Sequence, residues 1–269
     1  MICFPNAKIN IGLDVLRKRD DQYHDIETVF YPIQLCDILE INHSQKFEFT
    51  QSGMAIEGNS EHNLVVKAYR LFEYTYDIGP VHIHLHKQIP FGAGLGGGSS
   101  DAAFTLKMLN TLFNLNLTKV QLLDYALSLG SDCPFFIANQ PAFASGRGEL
   151  LEPVSVNINN MHMVLVKPNF GVGTAEAYGG IIPHVPEKSL RQLIRNEVQS
   201  WSGTINNQFE TNVFKLYPQL ALIKETLYNN AAVYAAMSGS GSAVFGLFKK
   251  EPEGLMFEDC FVWKEHFGK

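Results

Sequence analysis

A glycine-rich segment is the part of this sequence best suited to binding an anion. Residues 90–101 are Pro-Phe-Gly-Ala-Gly-Leu-Gly-Gly-Gly-Ser-Ser-Asp, with five glycines among positions 92–98. Because glycine lacks a Cβ, its backbone N–H groups can close around phosphate, and a following helix adds about half a positive charge at its N-terminus. A flexible linker is the alternative, but linkers do not end in Ser-Ser-Asp at the start of a periodic helix. The segment predicts a phosphate-binding loop.

Two common phosphate loops are excluded. A Walker A loop requires Gly-x4-Gly-Lys-Ser/Thr, and no lysine lies between Lys87 and Lys107. The spacing Gly92-x-Gly94-x-x-Gly97 matches the dinucleotide fingerprint, but a Rossmann unit returns to a second strand after its helix. Here the helix predicted after the loop leads directly into another helix, so the context contradicts a Rossmann unit.

Lys8 and Asp132 are the candidate groups for acid–base chemistry. Residues 7–13 alternate apolar with polar or small side chains, which predicts a strand carrying Lys8 and Asn10 on one face. Asp132 follows a predicted helix end at Gly130 and precedes Pro134, so its carboxylate lies on a tight turn where it could accept a hydroxyl proton. Asp132 could equally be a helix N-cap, and the residues alone leave both roles open.

His82, His84 and His86 share one face of a predicted strand over residues 80–86. A metal site is one interpretation of this pattern. Positions two residues apart on a strand are about 7 Å apart and diverge less than tetrahedral ligation requires. The pattern therefore favours a solvated or covered sheet face.

Composition excludes several classes of protein. The 269 residues carry 21 Lys and Arg against 27 Asp and Glu, a net charge of −6, so a nucleic-acid-binding protein is not expected. No stretch approaches 18 uninterrupted apolar residues and the first residues lack a signal-peptide pattern, which predicts a cytoplasmic protein without membrane contact. The four cysteines are far apart, which predicts reduced thiols. No heptad or apolar stripe indicates an oligomeric state.

The remaining periodicity predicts strands and helices in two domains, residues 1–153 and 154–269, divided after Pro153. Strands are predicted over residues 28–31, 37–41, 46–50, 80–86, 141–145 and 161–167, with a final pair flanking residues 238–242; helices are predicted over 63–76, 100–113, 118–129, 189–200 and 210–229.

The glycine loop and three other motifs of the sequence resemble those of a known protein family. The glycine loop resembles the second motif of the galactokinase, homoserine kinase, mevalonate kinase and phosphomevalonate kinase (GHMP) superfamily. Its form Gly94-Leu-Gly-Gly-Gly-Ser-Ser-Asp-Ala-Ala103 resembles more narrowly the 4-diphosphocytidyl-2-C-methyl-D-erythritol kinases of the non-mevalonate isoprenoid pathway. Three further stretches share that resemblance: Leu129-Gly-Ser-Asp-Cys-Pro-Phe-Phe136, Gly146-Arg-Gly-Glu149 and Ala236-Met-Ser-Gly-Ser-Gly-Ser242.

The resemblance implies an ATP-dependent kinase acting on a cytidine diphosphate-linked sugar alcohol, with Mg²⁺ carried on the ATP phosphates. It implies a two-domain α+β fold with a left-handed βαβ unit in the nucleotide-binding half. It also implies that the 238–242 run folds beside the phosphate loop, with a close approach of the two backbones. Asp132 would be the catalytic base and Lys8 would lie beside it, stabilising the forming alkoxide. The implied ATP-binding residues are Asn63, Lys87, Pro90, Phe91, Gly92, Ala93, Gly94, Leu95, Gly96, Gly97, Gly98, Ser99 and Ser100.

The resemblance also implies the acceptor site. Tyr23 would stack on the cytosine, His24 would bind its polar edge, and Tyr178 would complete the aromatic sandwich, with Asn10 and Thr174 as further substrate contacts. Tyr23 and His24 could otherwise be surface residues of a charged loop. Gln22 replaces the glycine usual in this family, and if that position requires positive φ, we expect Gln22 to be strained.

Two other functions remain open at this stage. One is a non-catalytic relative that binds a nucleotide or metabolite, although such proteins tend to lose the catalytic pair, which is present here. The other is a different small-alcohol kinase of the same superfamily, which should ignore cytidine.

Overall fold

The computed structural model describes residues 1–55 and 59–268. Its strands are β1 (Ile2–Cys3), β2 (Asn6–Lys18), β3 (His24–Cys36), β4 (Ile38–His43), β5 (Glu48–Gly53), β6 (Val81–Lys87), β7 (Ala142–Ser145), β8 (Leu150–Pro153), β9 (His162–Pro168), β10 (Tyr234–Met237), β11 (Val244–Phe248) and β12 (Cys260–His266). Its α-helices are α1 (Leu64–Tyr76), α2 (Gly97–Leu112), α3 (Lys119–Leu129), α4 (Cys133–Ala138), α5 (Thr174–Tyr178), α6 (Leu190–Leu193), α7 (Glu210–Leu216) and α8 (Pro218–Asn229). None of the helices in this described part combines the length and apolar character needed to cross a bilayer.

The chain forms two compact units, and neither is a contiguous half of the sequence. The first contains Met1–Lys8, Pro32–Pro90 and Gly96–Gln140; the second contains Ile9–Tyr31, Phe91–Leu95 and Pro141–Lys269. The units are discontinuous because β2 and β3 each contribute residues to both. The division at residues 153/154 therefore does not describe these units, and it stays a proposal for the boundary between two sequence domains.

The first unit contains a four-stranded sheet in the order β1-β4-β6-β5. Strands β5 and β6 pair in parallel and are connected through α1, which is the expected βαβ connectivity. Val81, Ile83 and Leu85 alternate along β6 and are fully buried, as the period of two predicts. The left hand of this crossover stays a prediction.

The histidines on one face of β6 are hydrogen-bonded to side chains of the neighbouring strand β5. The Thr50 hydroxyl lies 2.9 Å from His82 Nε2 and 2.8 Å from His84 Nδ1, and the Ser52 hydroxyl lies 2.9 Å from both His84 Nε2 and His86 Nδ1. Ring nitrogens of the three histidines are therefore hydrogen-bonded to β5 in this structure. Across residues 1–55 and 59–268, no group of three or more His, Cys, Asp or Glu side chains could hold a metal ion.

The second unit contains a sheet in the order β10-β11-β9-β12, which packs against α7 and α8 through buried apolar residues. A second sheet runs β2-β3-β7-β8. The helix predicted over 210–229 is divided into α7 and α8 because Pro218 lacks an N–H and disfavours helical torsions at Tyr217, whose φ and ψ are −130° and 74°. The prediction of one helix over residues 189–200 is wrong. Only α6 and a 3₁₀ turn, Val198–Ser200, form there, because Glu197 is extended.

Candidate active site

The predicted phosphate loop leads directly into α2. This helix begins at Gly97, earlier than the predicted start near Ser100, and its N-cap Gly96 has φ 69° with no side-chain capping bond. The first N–H groups of a helix have no partner within the helix, and here they belong to glycine and serine, with little side-chain bulk around them. The start of α2 therefore has the features of an anion site, and phosphate binding there stays a prediction.

Gly96 also leaves room for a cation beside this helix start. A Cβ on Gly96 would lie 2.9 Å from the Phe136 ring and 3.2 Å from Lys8 Cε. These approaches and the positive φ require glycine. Lys8 therefore lies next to the N-terminus of α2.

Lys8 and Asp132 form an ion pair in the first unit. Lys8 Nζ lies 3.5 Å from Asp132 Oδ2, and the side chains are 4% and 36% exposed respectively. Asp132 occupies the N-cap position of α4, but its side chain makes no capping hydrogen bond. The carboxylate is directed to Lys8 instead of the helix N–H groups, which disfavours the N-cap interpretation.

The two members of this pair differ in solvation. Burial lowers the pKa of the Lys8 ammonium below its ordinary value of 10.5, and the charge of Asp132 opposes that effect. The carboxylate remains accessible to a reactant because its side chain is partly exposed. The geometry therefore places a partly hydrated carboxylate beside a desolvated cation.

Cys133 is a neighbour of this pair that the sequence reasoning did not assign. Its buried thiol forms a hydrogen bond with the Ser99 side chain, which connects the first turns of α2 and α4. Burial raises the pKa of this thiol to about 12, so it is neutral at physiological pH and is not a nucleophile.

In the second unit, the Ser238–Ser242 run packs against residues 91–95 of the loop. The Ser238 hydroxyl donates to the Gly94 carbonyl at 2.9 Å, and a Cβ on Gly94, whose φ is 71°, would lie only 1.9 Å from the Ser238 carbonyl oxygen. The Ser242 N–H donates to the Gly92 carbonyl at 3.0 Å. The predicted close approach of two backbones is confirmed.

Asn10 lies in the same neighbourhood of the second unit. It is buried, its Nδ2 donates to the Thr28 hydroxyl at 2.9 Å, and its backbone N–H donates to the Ser238 hydroxyl at 3.1 Å. The side chain thus supports the β2–β3 pair, and its contact with substrate stays a prediction.

The predicted cytosine-binding residues lie in the second unit. The His24 and Tyr178 rings stack with centroids 4.6 Å apart, and Thr174 is the first residue of α5, which ends at Tyr178. Tyr23 is 55% exposed, and the Arg147 guanidinium carbon lies 5.0 Å from its ring centroid. Arg147 was not assigned from the sequence, although the Gly146-Arg-Gly-Glu149 motif marked its position. Burial, with Lys18 assisting, lowers the pKa of His24, so its neutral imidazole can hydrogen-bond a base edge.

Asn63 and Lys87 have structural partners. Asn63 Oδ1 accepts the Val65 N–H at 2.9 Å as the N-cap of α1. Lys87 is buried against two carboxylates, those of Asp37 and Asp101. Direct contact of either residue with ATP stays a prediction, and the burial of the Lys87 side chain would restrict its contact to backbone atoms.

Comparison with known proteins identifies the family. The profile of the GHMP kinases N terminal domain matches residues 63–147, and that of GHMP kinases C terminal matches residues 182–255. A 4-diphosphocytidyl-2-C-methyl-D-erythritol kinase of Parabacteroides distasonis is 51% identical over 267 residues, which cover 98% of each chain. A Bacteroides fragilis protein of the same name is 53% identical over 270 residues, again 98% of each. The chain belongs to this kinase family.

A solved 4-diphosphocytidyl-2-C-methyl-D-erythritol kinase structure agrees with this identification. A crystal structure titled as 4-(cytidine 5'-diphospho)-2C-methyl-D-erythritol kinase superposes with a TM-score of 0.76 and 32% identity, covering 92% of this chain and 90% of that one. The predicted α+β GHMP kinase fold is therefore confirmed. The two GHMP profiles lie on either side of the predicted boundary at residues 153/154, which stays a prediction.

One departure from this kinase family has a structural consequence. Gln22 has φ 68°, so the strain expected at the family's glycine position is present. We expect Gln22→Gly to raise the free energy of unfolding by about 1 kcal/mol, because a left-handed non-glycine residue costs roughly 1–3 kcal/mol and glycine's greater chain entropy offsets part of the gain. Gln22→Ala is the matched control, since it keeps the Cβ. Equal urea-unfolding free energies for the two variants would contradict the prediction.

Proposed function

We propose that this protein is an ATP-dependent kinase that phosphorylates the 2-hydroxyl of 4-diphosphocytidyl-2-C-methyl-D-erythritol, a step in isoprenoid precursor synthesis. The observation that carries the mechanism is the Lys8–Asp132 pair, 3.5 Å apart, with Lys8 beside the glycine-rich start of α2. The names of relatives more than 50% identical support the acceptor. Its four thiols without disulfides and its use of ATP support a cytoplasmic location.

The proposed mechanism assigns each group one task. The first N–H groups of α2 hold the ATP phosphates, and Mg²⁺ enters with ATP as part of the co-substrate. The Asp132 carboxylate accepts the 2-hydroxyl proton as that oxygen bonds to the γ-phosphorus, and the bond from the γ-phosphorus to the β,γ-bridging oxygen breaks to release ADP. The Lys8 ammonium stabilises negative charge on the attacking and transferring oxygens.

The direct test of this function is ADP release measured with ATP in the presence and absence of the cytidine diphosphate alcohol. Release that depends on this alcohol, with a phosphorylated product, supports the kinase. ATP or acceptor binding without ADP release would instead indicate a non-catalytic relative. Equal turnover of simple alcohols such as homoserine or mevalonate would indicate another small-alcohol kinase.

Tyr23→Ala tests the proposed cytosine contact. Aromatic stacking on a base contributes roughly 1–3 kcal/mol, so we expect the KM for the acceptor to rise about 5- to 150-fold while the KM for ATP stays within about twofold. Tyr74→Ala is the matched control because Tyr74 is exposed on α1 in the other unit. An unchanged acceptor KM in Tyr23→Ala would refute this contact. It would not contradict the proposed mechanism of phosphoryl transfer.

A further inference from the structure

A second group of charged side chains lies buried in the first unit. Asp37 lies between β3 and β4, Lys87 ends β6, and Asp101 is the fifth residue of α2. Lys87 Nζ contacts the Asp37 carboxylate and lies 2.8 Å from Asp101 Oδ2, and the three side chains are at most 3% exposed. We call these three residues the buried triad. Burial of three ionisable groups costs free energy, so the position of the buried triad at the phosphate loop requires a physical explanation.

The triad joins the two ends of the loop segment. Asp37 Oδ1 accepts the N–H groups of Gln88 at 2.6 Å and Ile89 at 2.9 Å, which begin the chain leading out of β6. At the other end, a Cβ on Gly97 would lie 3.3 Å from Lys87 Nζ, so the ammonium lies against the first residue of α2. The triad therefore holds the helix start, where phosphate is proposed to bind, at a fixed distance from β6.

The triad contains one ammonium and two carboxyl groups, so it carries a net negative charge unless a proton is bound. Asp37 accepts from Lys87 and from two backbone N–H groups. Asp101 differs, because its buried Oδ1 has no hydrogen-bond partner. An unpaired, buried carboxylate oxygen is the atom at which a proton removes the largest desolvation penalty.

The electrostatics of the triad agree with this assignment. Burial raises the pKa of the Asp101 carboxyl to about 8, with Lys87 opposing and Asp37 adding to the shift. Burial lowers the pKa of Lys87, but the two carboxylates outweigh it and leave that pKa above 10.5. The Cys3 thiol of β1 also interacts with Asp101, and burial raises its pKa to about 12, so it is neutral near pH 8.

We propose that Asp101 is a positioning residue for ATP that acts in its protonated form, so that the triad is neutral when the triphosphate binds at the start of α2. This inference rests on the proposed function only in taking ATP as the ligand of that helix start. An ionised Asp101 would repel the phosphates, because charges roughly 10 Å apart in a partly buried site interact by an amount worth about tenfold in affinity. Loss of the Asp101 proton should therefore weaken ATP binding and leave the phosphoryl-transfer step unchanged.

The test is calorimetric titration of the full chain with ATP and Mg²⁺, without acceptor, between pH 7 and pH 9. Tenfold weaker binding to the deprotonated form raises the Asp101 pKa by about one unit in the complex, so we expect the wild-type Kd to rise about fivefold over this range. Binding above pH 8 should take up about half a proton, measured in two buffers of different ionisation enthalpy. Asp101→Asn mimics the neutral acid, so its Kd should stay near the wild-type pH 7 value with no uptake. Asp124→Asn, a change at an exposed position, is the matched control and should show the same pH dependence of the ATP Kd and the same proton uptake as the wild type.

Two outcomes overturn the proposal: equal pH dependence of the ATP Kd in wild type and Asp101→Asn, or no proton uptake by the wild type above pH 8. The second measurement uses only the wild-type protein, so it is decisive even where Asp101→Asn does not fold. Lys8→Met should keep the uptake, which separates Asp101 from Lys8 as its source. Because no acceptor is present, a wrong acceptor assignment does not affect these results, whereas failure to bind ATP at all would refute the proposed kinase.

Discussion

Asp132→Asn should lower kcat by about 10²- to 10⁴-fold, the usual contribution of a general base, with the KM for ATP nearly unchanged. The amide keeps the shape of the carboxylate but cannot accept the hydroxyl proton. The proposed ATP contacts are the N–H groups at the start of α2, which the substitution does not alter. Single-turnover phosphate transfer at saturating ATP measures the chemical step directly. A rate within threefold of wild type would remove Asp132 from the mechanism.

The stability of Asp132→Asn distinguishes a lost base from a damaged fold. The Lys8 side chain is only 4% exposed, so Asp132→Asn leaves a buried ammonium without its counter-charge. We therefore expect a lower Tm but a cooperative unfolding transition, which shows that the variant is folded at the assay temperature. Asp124→Asn is the matched control, because it makes the same chemical change at an exposed position of α3 and should retain full activity.

The local chemistry of the site was largely predictable from the sequence, whereas its distances were not. Helix α2 begins three residues before the predicted start, at Gly97, because glycine's poor helix propensity places the expected boundary beyond the glycines. Lys8 and Asp132 are far apart in the chain, and no periodicity relates a strand to a distant turn. Their proximity was implied only by family resemblance, and the 3.5 Å ion pair now supports it.

The buried charged residues could not be predicted from the sequence, because their burial depends on tertiary contacts. Asp37 and Asp101 are charged residues, which are almost always exposed, so their pattern gave no reason to place them beside Lys87 in the interior. Gln22 is the opposite case. There the missing glycine of the family motif indicated the strained φ that the backbone adopts.

Lys8→Met should lower kcat by about 10²- to 10³-fold, the cost of removing one group that stabilises developing negative charge. Methionine keeps the length of the side chain and removes its charge. Lys8→Met removes the desolvation cost of the buried ammonium, and the Asp132 carboxylate that remains is 36% exposed and hydrated, so the free energy of unfolding should not fall. A loss of stability in proportion to the loss of rate would contradict the assignment.

The pH profile gives a second test of Lys8. Burial lowers the pKa of its ammonium, so wild-type kcat should fall with rising pH at a value below 10.5, as the charged form is lost. Lys8→Met should lack this alkaline decrease in kcat. The proposed Asp101 titration would instead change the affinity for ATP, so saturating ATP separates the two effects.

The double variant Lys8→Met with Asp132→Asn tests whether the pair acts as one unit. Lys8 stabilises an alkoxide that forms only when Asp132 takes the proton, so its contribution should largely disappear once the base is absent. We therefore expect the double variant to have a single-turnover rate close to that of the slower single variant. If the fold reductions in rate of the two single variants instead multiply in the double variant, Lys8 acts on the phosphates alone. The ion pair would then not couple the cation to the base.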